Sequence, residues 1–121
     1  MKIEIIKAND LEVAKVTSDE MLISDVQSAL DFMSTVKYET GYDHIIVYKA
    51  LLSEDFFNLK TRLAGEVLQK FVNYQVKIAI IGDFSSYTSK SLQDFIYESN
   101  RGNNNFFVRD EKQALEKLSD C

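Results

Sequence analysis

The sequence lacks the residue types on which most recognisable enzyme motifs depend. It has no proline and no tryptophan, four glycines, one histidine (His44) and one cysteine (Cys121). A hydrolytic triad needs a histidine paired with a nucleophile, and zinc motifs need several Cys or His ligands at short spacing. Neither CxxC nor HExxH occurs, and no glycine-rich phosphate loop is present. The sequence therefore predicts no metal, no cofactor and no motif-defined catalytic residue.

The absence of proline and the scarcity of glycine leave no stretch that resembles a linker between domains. One cysteine cannot form a disulfide within the chain, which fits a reducing compartment. The opening residues Met1–Lys7 alternate charged and apolar side chains, unlike a signal peptide, and no apolar run is long enough to span a bilayer. We therefore expect a single cytoplasmic domain over residues 1–121.

Positive charge is also in deficit. The chain has 14 Lys and Arg against 19 Asp and Glu, and its net charge is −5. No basic stripe is present to neutralise a phosphate backbone, and an acidic protein is only weakly attracted to anionic lipid. Neither nucleic acid nor a membrane is therefore expected as a partner.

What the sequence does contain is typical of an ordinary globular core. Hydrophobic residues make up 45% of the chain and charged residues 27%, and eight Phe and six Tyr supply large side chains. Five stretches are predicted to be strands: Ile3–Ile6, Leu11–Val16, His44–Tyr48, Lys77–Asp83 and Phe106–Val108. The first two are separated by a tight turn and should form an antiparallel hairpin. We expect the buried run Ile78–Ile81 to be the central strand.

Apolar residues between these strands recur at three- and four-residue steps, which indicates helices. The predicted helices are one capped by Ser24 with Gln27, one running from Ser53 to about Tyr74, one carrying Leu92, Phe95 and Ile96, and one capped by Asp110 with Gln113. The order is β-β-α-β-α-β-α-β-α. It predicts an α/β fold, a mixed sheet of about five strands with helices packed on it and right-handed crossovers.

Ligands of open α/β sheets bind beyond the carboxyl ends of the parallel strands. Three loops are expected there: Lys49–Ser53, Asp83–Ser91 and Arg109–Asp110. The middle loop offers six hydroxyls, a carboxylate and an ammonium group at the entrance to a helix. A helix N-terminus attracts anionic groups, so the loop is a candidate site for an anion or a partner.

The candidate binding residues are Asp83, Ser85, Ser86, Thr88 and Ser89, together with Thr61 at the start of the long helix. An alternative interpretation is that these hydroxyls only cap the helix and order the loop. The aromatic pair Phe56–Phe57 is expected in the core, with an exposed apolar edge as the alternative.

Two long segments resemble a catalogued family. Phe56–Phe71 and Ile80–Asn100 are similar to the two signature stretches of a bacterial domain of unknown function, family 4180, and the resemblance covers nearly the whole chain. Membership of this family implies no established activity.

The order of elements also resembles the STAS domain, the fold of bacterial anti-sigma-factor antagonists and sulfate-transporter tails. Phosphorylatable STAS domains carry a Ser or Thr at a helix start, in a pattern like Asp-Ser-Ser-Gly-Leu. The comparable segment here is Asn58–Leu63, in which Thr61 matches the phosphoacceptor. However, Arg62 replaces the glycine, and no acidic residue directly precedes Thr61. The resemblance implies a protein-binding or ligand-sensing module.

Three functions remain open on the sequence. The leading hypothesis is a non-enzymatic regulatory or protein-interaction module, whose partner is another protein or a second copy of the chain. The second is a domain that binds a small anionic ligand at the same strand ends. The third is a carboxylate-based enzyme that uses Asp83 with Lys90 or Tyr87.

Overall fold

The chain begins with the antiparallel hairpin that its first residues predict. In the computed structural model, which describes residues 1–120, β1 (Lys2–Ala8) and β2 (Leu11–Thr17) are joined by a two-residue turn at Asn9 and Asp10. Asn9 has a positive φ of 57°, a conformation that Asn tolerates better than most residues. The predicted hairpin is confirmed. Cys121, expected to be a lone thiol, lies outside the described residues.

Three further strands complete the sheet: β3 (His44–Tyr48), β4 (Lys77–Ile81) and β5 (Asn105–Val108). The five strands follow one another in chain order across the sheet, and β2 to β5 run parallel. The predicted α/β fold with a mixed sheet is confirmed. The prediction that β4 is central needs one correction, because β4 has a strand on each side but the middle position belongs to β3.

The four α-helices are α1 (Val26–Thr40), α2 (Leu63–Asn73), α3 (Lys90–Arg101) and α4 (Glu111–Ser119). The predicted cap of the last helix is confirmed, since the Asp110 carboxylate accepts a hydrogen bond from the Gln113 amide at 2.8 Å. The prediction for the first helix was wrong by one residue. Asp25 is its cap, because Ser28 returns a reciprocal hydrogen bond that completes the capping box.

The predicted long helix from Ser53 to Tyr74 is wrong in its first half. Short 3₁₀ turns occupy Lys49–Leu51, Glu54–Phe57 and Leu59–Thr61, and α2 begins only at Leu63. Arg62 has a positive φ of 64°, which interrupts a right-handed helix. Apolar residues at three-residue steps fit a 3₁₀ turn as well as an α-helix, so the sequence pattern did not distinguish the two.

The sheet divides the core into two unequal parts. One side, the three-helix face, is covered by α1, α2 and α3, whose buried side chains pack on strand residues such as Val47 and Ile80. The other side, the α4 face, is covered by α4 alone and includes Ile46 and Phe106. Crossovers of one hand that all step in the same direction across the sheet place the three connecting helices on the same side. Phe56 and Phe57 are buried on the three-helix face, which confirms them as core residues.

Candidate functional site

Three loops meet at one end of the strands, where β3, β4 and β5 finish at their carboxyl ends. Gly82 donates a backbone hydrogen bond to the Val108 carbonyl at 2.9 Å, which holds the ends of β4 and β5 side by side. A Cβ atom on Gly82 would lie 2.8 Å from Cβ of Lys49. Glycine is therefore required for the loop after β4 to pass closely over the end of β3.

Two of the candidate residues in the β4–α3 loop have internal structural roles. The Asp83 carboxylate accepts hydrogen bonds from the Ser85 amide at 2.9 Å and the Ser85 hydroxyl at 2.6 Å. These bonds lower the pKa of Asp83, and the nearby charges of Arg109 and Lys49 lower it further. Asp83 is therefore an ionised side chain that closes its own turn.

Ser89 caps α3, as the alternative interpretation expects. Its hydroxyl accepts a hydrogen bond from the Leu92 amide at 3.3 Å. Lys90 is the first residue of α3, and its ammonium group forms an ion pair with Asp94 at 3.2 Å, one helical turn along.

Thr61 lies in the last 3₁₀ turn before α2, and not at the start of a long helix. Its hydroxyl is 2.7 Å from the Asp55 carbonyl and 2.8 Å from the Asn58 carbonyl, and it accepts a hydrogen bond from the Leu63 amide at 3.2 Å. These contacts lie within the segment that connects β3 to α2, or join it to Leu63, the first residue of α2. The Thr61 hydroxyl therefore fixes the entry to α2.

A cluster that the sequence did not reveal lies between these loops. The Lys49 ammonium group sits 4.7 Å from the centre of the Tyr87 ring and 5.5 Å from that of Phe57, and the two rings stack at 5.2 Å. The Tyr87 hydroxyl donates a hydrogen bond to the Glu54 carboxylate at 3.1 Å, and Glu54 lies 3.7 Å from Lys49. We call Lys49, Glu54 and Tyr87 the lysine–tyrosine cluster.

Lys49 and Tyr87, the two titratable groups that contact the Glu54 carboxylate, both hold their protons at neutral pH. Interaction with the Tyr87 side chain raises the pKa of Lys49, and Glu54 raises it further. Burial raises the pKa of the Tyr87 hydroxyl, and the hydrogen bond with Glu54 raises it further. The cluster therefore presents a cation and a neutral phenol.

An open groove of about 470 Å³ runs beside this cluster, between the β3–α2 segment and the start of α3. Its apolar lining comes from Phe57, Leu59 and Leu92, and its polar lining from Glu54, Asp55, Asn58, Ser86, Tyr87, Thr88 and Ser89. Within residues 1–120, no hydrogen bond or ion pair engages the side chains of Asp55, Ser86 and Thr88. Phe57 and Leu92 are buried, so the groove offers a free carboxylate and two free hydroxyls next to the partly exposed Leu59.

The predicted site residues are thus only partly brought together. Ser86, Thr88 and Ser89 line the groove, whereas Asp83 and Ser85 bond to each other and Thr61 bonds within its own segment. Sequence reasoning placed Lys49 in a strand-end loop without naming it as a site residue. It missed Glu54 and Asp55, because their positions depend on how the loop after β3 folds against the loop after β4. The acidic pair that follows Ser53 was the one signal available.

Two classes of feature are not found in the described part of the chain. No group of three or more His, Cys, Asp or Glu side chains among residues 1–120 could hold a metal ion. No helix there is long and apolar enough to cross a membrane. His44 begins β3 and so lies at the amino end of that strand, away from the groove at the carboxyl ends.

Comparison with known proteins places the chain in a family without assigning it an activity. No curated protein and no solved structure matches it significantly. The family model described as Domain of unknown function (DUF4180) matches residues 8–118, which is nearly the whole chain and agrees with the resemblance of its two signature stretches. The chain therefore belongs to the DUF4180 family of domains of unknown function.

Proposed function

We propose that this chain is a non-enzymatic protein-interaction module that binds a segment of a partner protein in the groove between Asp55 and Ser86. The observation that supports this most is the set of unengaged polar groups that line one open groove. The side chains of Asp55, Ser86 and Thr88 line the groove together with the partly exposed Leu59 and have no partner within the described chain. Recognition sites combine apolar contact with a few polar groups that fix orientation.

The charge of the groove favours a basic ligand. Asp55 and Glu54 both line it, and within residues 1–120 Glu54 forms an ion pair, with Lys49 at 3.7 Å, whereas Asp55 forms none. An anion placed there meets the unpaired Asp55 carboxylate, whereas a Lys or Arg side chain forms an ion pair with it. We infer a partner segment in which a basic residue lies next to an apolar one.

The protonation states of the site support binding over catalysis. A general base near neutral pH needs an acceptor whose pKa lies close to 7. The raised pKa values of Lys49 and Tyr87 and the lowered pKa of Asp83 all move away from that range. Lys90 is paired with Asp94, so the enzyme hypothesis that joined it to Asp83 has little support.

A small anionic ligand is the second candidate. The hydroxyls of Ser86, Thr88 and Ser89 precede the first turn of α3, and a helix N-terminus carries a partial positive charge. We rank this candidate below a basic segment because Asp55 and Glu54 line the same groove.

We also propose a STAS-like fold and a regulatory role in a bacterial cell. A hairpin followed by three parallel crossovers supports the likeness. Thr61, which the resemblance matches to the STAS phosphoacceptor, is exposed, but its hydroxyl is bonded to the Asp55 and Asn58 carbonyls. Phosphorylation of Thr61 would break these bonds and add negative charge beside Asp55, which would loosen the wall of the groove.

Selection from a random peptide library on the immobilised chain tests the proposed function. We expect the bound peptides to be enriched in a Lys or Arg next to an apolar residue. Asp55→Asn and Ser86→Ala should each weaken binding of such a peptide about three- to tenfold, as expected for the loss of one ion pair or hydrogen bond. Isothermal titration calorimetry measures the affinity.

Asp10→Asn is the matched control, because Asp10 is an exposed carboxylate in the hairpin turn. This turn precedes β2 and lies at the amino ends of the parallel strands, away from the groove. The control variant should leave both affinity and melting temperature unchanged. Peptides without basic residues, or affinities unchanged by both groove variants in folded protein, would contradict the proposal. Chemical shift changes at the Lys90 and Ser91 amides on addition of inorganic phosphate would favour the anionic ligand instead.

A further inference from the structure

The two outer strands of the sheet differ in how their free backbone groups are satisfied. On β5, the side chain of Asn100 accepts a hydrogen bond from the Phe107 amide at 2.7 Å and donates one to the Phe107 carbonyl at 3.0 Å. This amide takes the place of a neighbouring strand. On β1 the strand pairs with β2 alone, and no hydrogen bond within residues 1–120 engages its outer side.

The turn determines which residues of β1 face outward. A two-residue turn closes on a hydrogen-bonded pair, here Ala8 and Leu11, and such pairs alternate along an antiparallel ladder. The even-numbered residues of β1 therefore direct their N–H and C=O groups to β2. The odd-numbered residues, among them Ile3 and Ile5, direct theirs to solvent.

The side chains along this edge have a self-complementary order. Residues Met1 to Ile5 read apolar, basic, apolar, acidic, apolar, so the segment has the opposite charge order when it is read backwards. Met1 and Ile5 are 54% and 43% exposed, and Lys2 and Glu4 are exposed without an ion pair in the described chain. Exposed apolar side chains on an unpaired edge strand are a feature that folded proteins usually protect.

We propose that β1 pairs with β1 of a second copy of this chain, antiparallel about a two-fold axis at Ile3. Ile3 then faces Ile3 of the second copy, and its outward N–H and C=O groups form a hydrogen-bonded pair. Lys2 faces Glu4 and Glu4 faces Lys2, while Met1 and Ile5 cover each other. The two five-stranded sheets become one continuous sheet.

This register is favoured over its neighbours. Paired residues must lie on the same face of a continuous sheet, so an odd-numbered residue can face only an odd-numbered residue of the second copy. Each alternative register therefore moves the partner of every residue by two positions. One shift brings Glu4 opposite Glu4 of the second copy, which is repulsive. The next brings Ile3 opposite Lys7 and leaves Lys2 and Glu4 without opposite charges. Only the register centred on Ile3 pairs every charge of the segment.

Sedimentation equilibrium of the isolated chain over a concentration series tests the proposal. Because the paired segment is short, we expect a reversible dimer with a micromolar dissociation constant. Lys2→Glu creates two Glu–Glu contacts and Glu4→Lys creates two Lys–Lys contacts. Each single variant should weaken the dimer about tenfold or more.

The decisive measurement mixes the two variants. A Lys2→Glu chain faces a Glu4→Lys chain with opposite charges at both positions, so the mixture should form a heterodimer at concentrations where each variant alone is monomeric. The double variant Lys2→Glu/Glu4→Lys should dimerise like the wild type. Lys112→Glu, an exposed substitution on α4, is the control for added negative charge and should leave dimerisation unchanged.

Other outcomes overturn the proposal. A wild-type chain that remains monomeric at millimolar concentration has no such interface. A dimer unaffected by Lys2→Glu, or single variants that do not associate when mixed, places the interface elsewhere. Circular dichroism of each variant confirms that it is folded.

Discussion

The two faces of the sheet are stabilised in different ways. The three-helix face holds a continuous aromatic network, in which Phe56 lies 5.1 Å from Phe57 and Phe57 stacks on Tyr87 at the groove. The α4 face has one helix of nine residues, and an ion pair of 2.8 Å between Lys15 and Glu111 ties β2 to the start of that helix. The difference teaches that the groove is an extension of the main core, whereas α4 is attached by a smaller core with a polar margin.

The largest effect should come from a charge placed in the sheet that both faces share. Ile80→Asp puts a carboxylate on β4 at a fully buried position, at a cost comparable to the total stability of a domain, about 5–15 kcal/mol. We expect the variant to be unfolded by circular dichroism. Ile5→Asp, on the exposed edge strand, is the matched control and should melt cooperatively. Cooperative melting of Ile80→Asp would contradict the fold.

The next effect compares the cores of the two faces directly. Phe71→Ala on the three-helix face should cost about 3–5 kcal/mol, and Leu118→Ala on the α4 face about 2–3 kcal/mol, since both side chains are buried and Phe71 lies in the larger core. Urea denaturation measures both free energies of unfolding. If Leu118→Ala costs as much as Phe71→Ala, the α4 face contributes equally and the comparison fails.

The smallest effect concerns the margin of the α4 face. Strand alternation places His44 on the same side of the sheet as Ile46. Burial lowers the pKa of His44, and the charge of Lys77 lowers it further, whereas the charge of Asp43 raises it. The unfolded chain therefore binds a proton on His44 at higher pH than the folded chain does. The free energy of unfolding should fall as the pH drops from about 6.5 toward the lower folded pKa.

His44→Gln should remove this part of the pH dependence. Urea denaturation of both proteins between pH 7.5 and 5 gives the difference between them, which isolates the contribution of one side chain from those of the carboxylates. A wild-type chain that loses no more stability than His44→Gln over that range would show that His44 has the same pKa in both states.

Much of this fold is encoded in local patterns. The bounds of β3 follow from an apolar run, the hairpin from a turn between two alternating segments, and the cap of α4 from Asp110 and Gln113. These features depend on neighbours a few residues apart. The parallel direction of β2 to β5 followed from the helices that connect them, whereas the order of the strands did not, since β3 and not β4 is the middle strand.

The site was less predictable because its contacts are not local. Tyr87 meets Glu54 across 33 positions of sequence, and the groove exists only because the β3–α2 segment folds as 3₁₀ turns. Nothing in the sequence marks Arg62 as the residue with a positive φ, since glycine or asparagine usually takes that conformation. The apolar spacing predicted a continuous helix, which would have left no groove at this position.

The Asn100 side chain has a consequence for how many copies can assemble. A sheet that is open at both edges can add subunits without limit and form a fibre, whereas a sheet with one open edge can join only once. Asn100 engages both backbone groups of Phe107 on the β5 edge, so the pairing that we propose through β1 would use the edge strand whose outer backbone groups form no hydrogen bond within residues 1–120. If that pairing forms, the Asn100 amide at the end of α3 would favour an assembly of two copies, and its loss would free a second edge through which further copies could add.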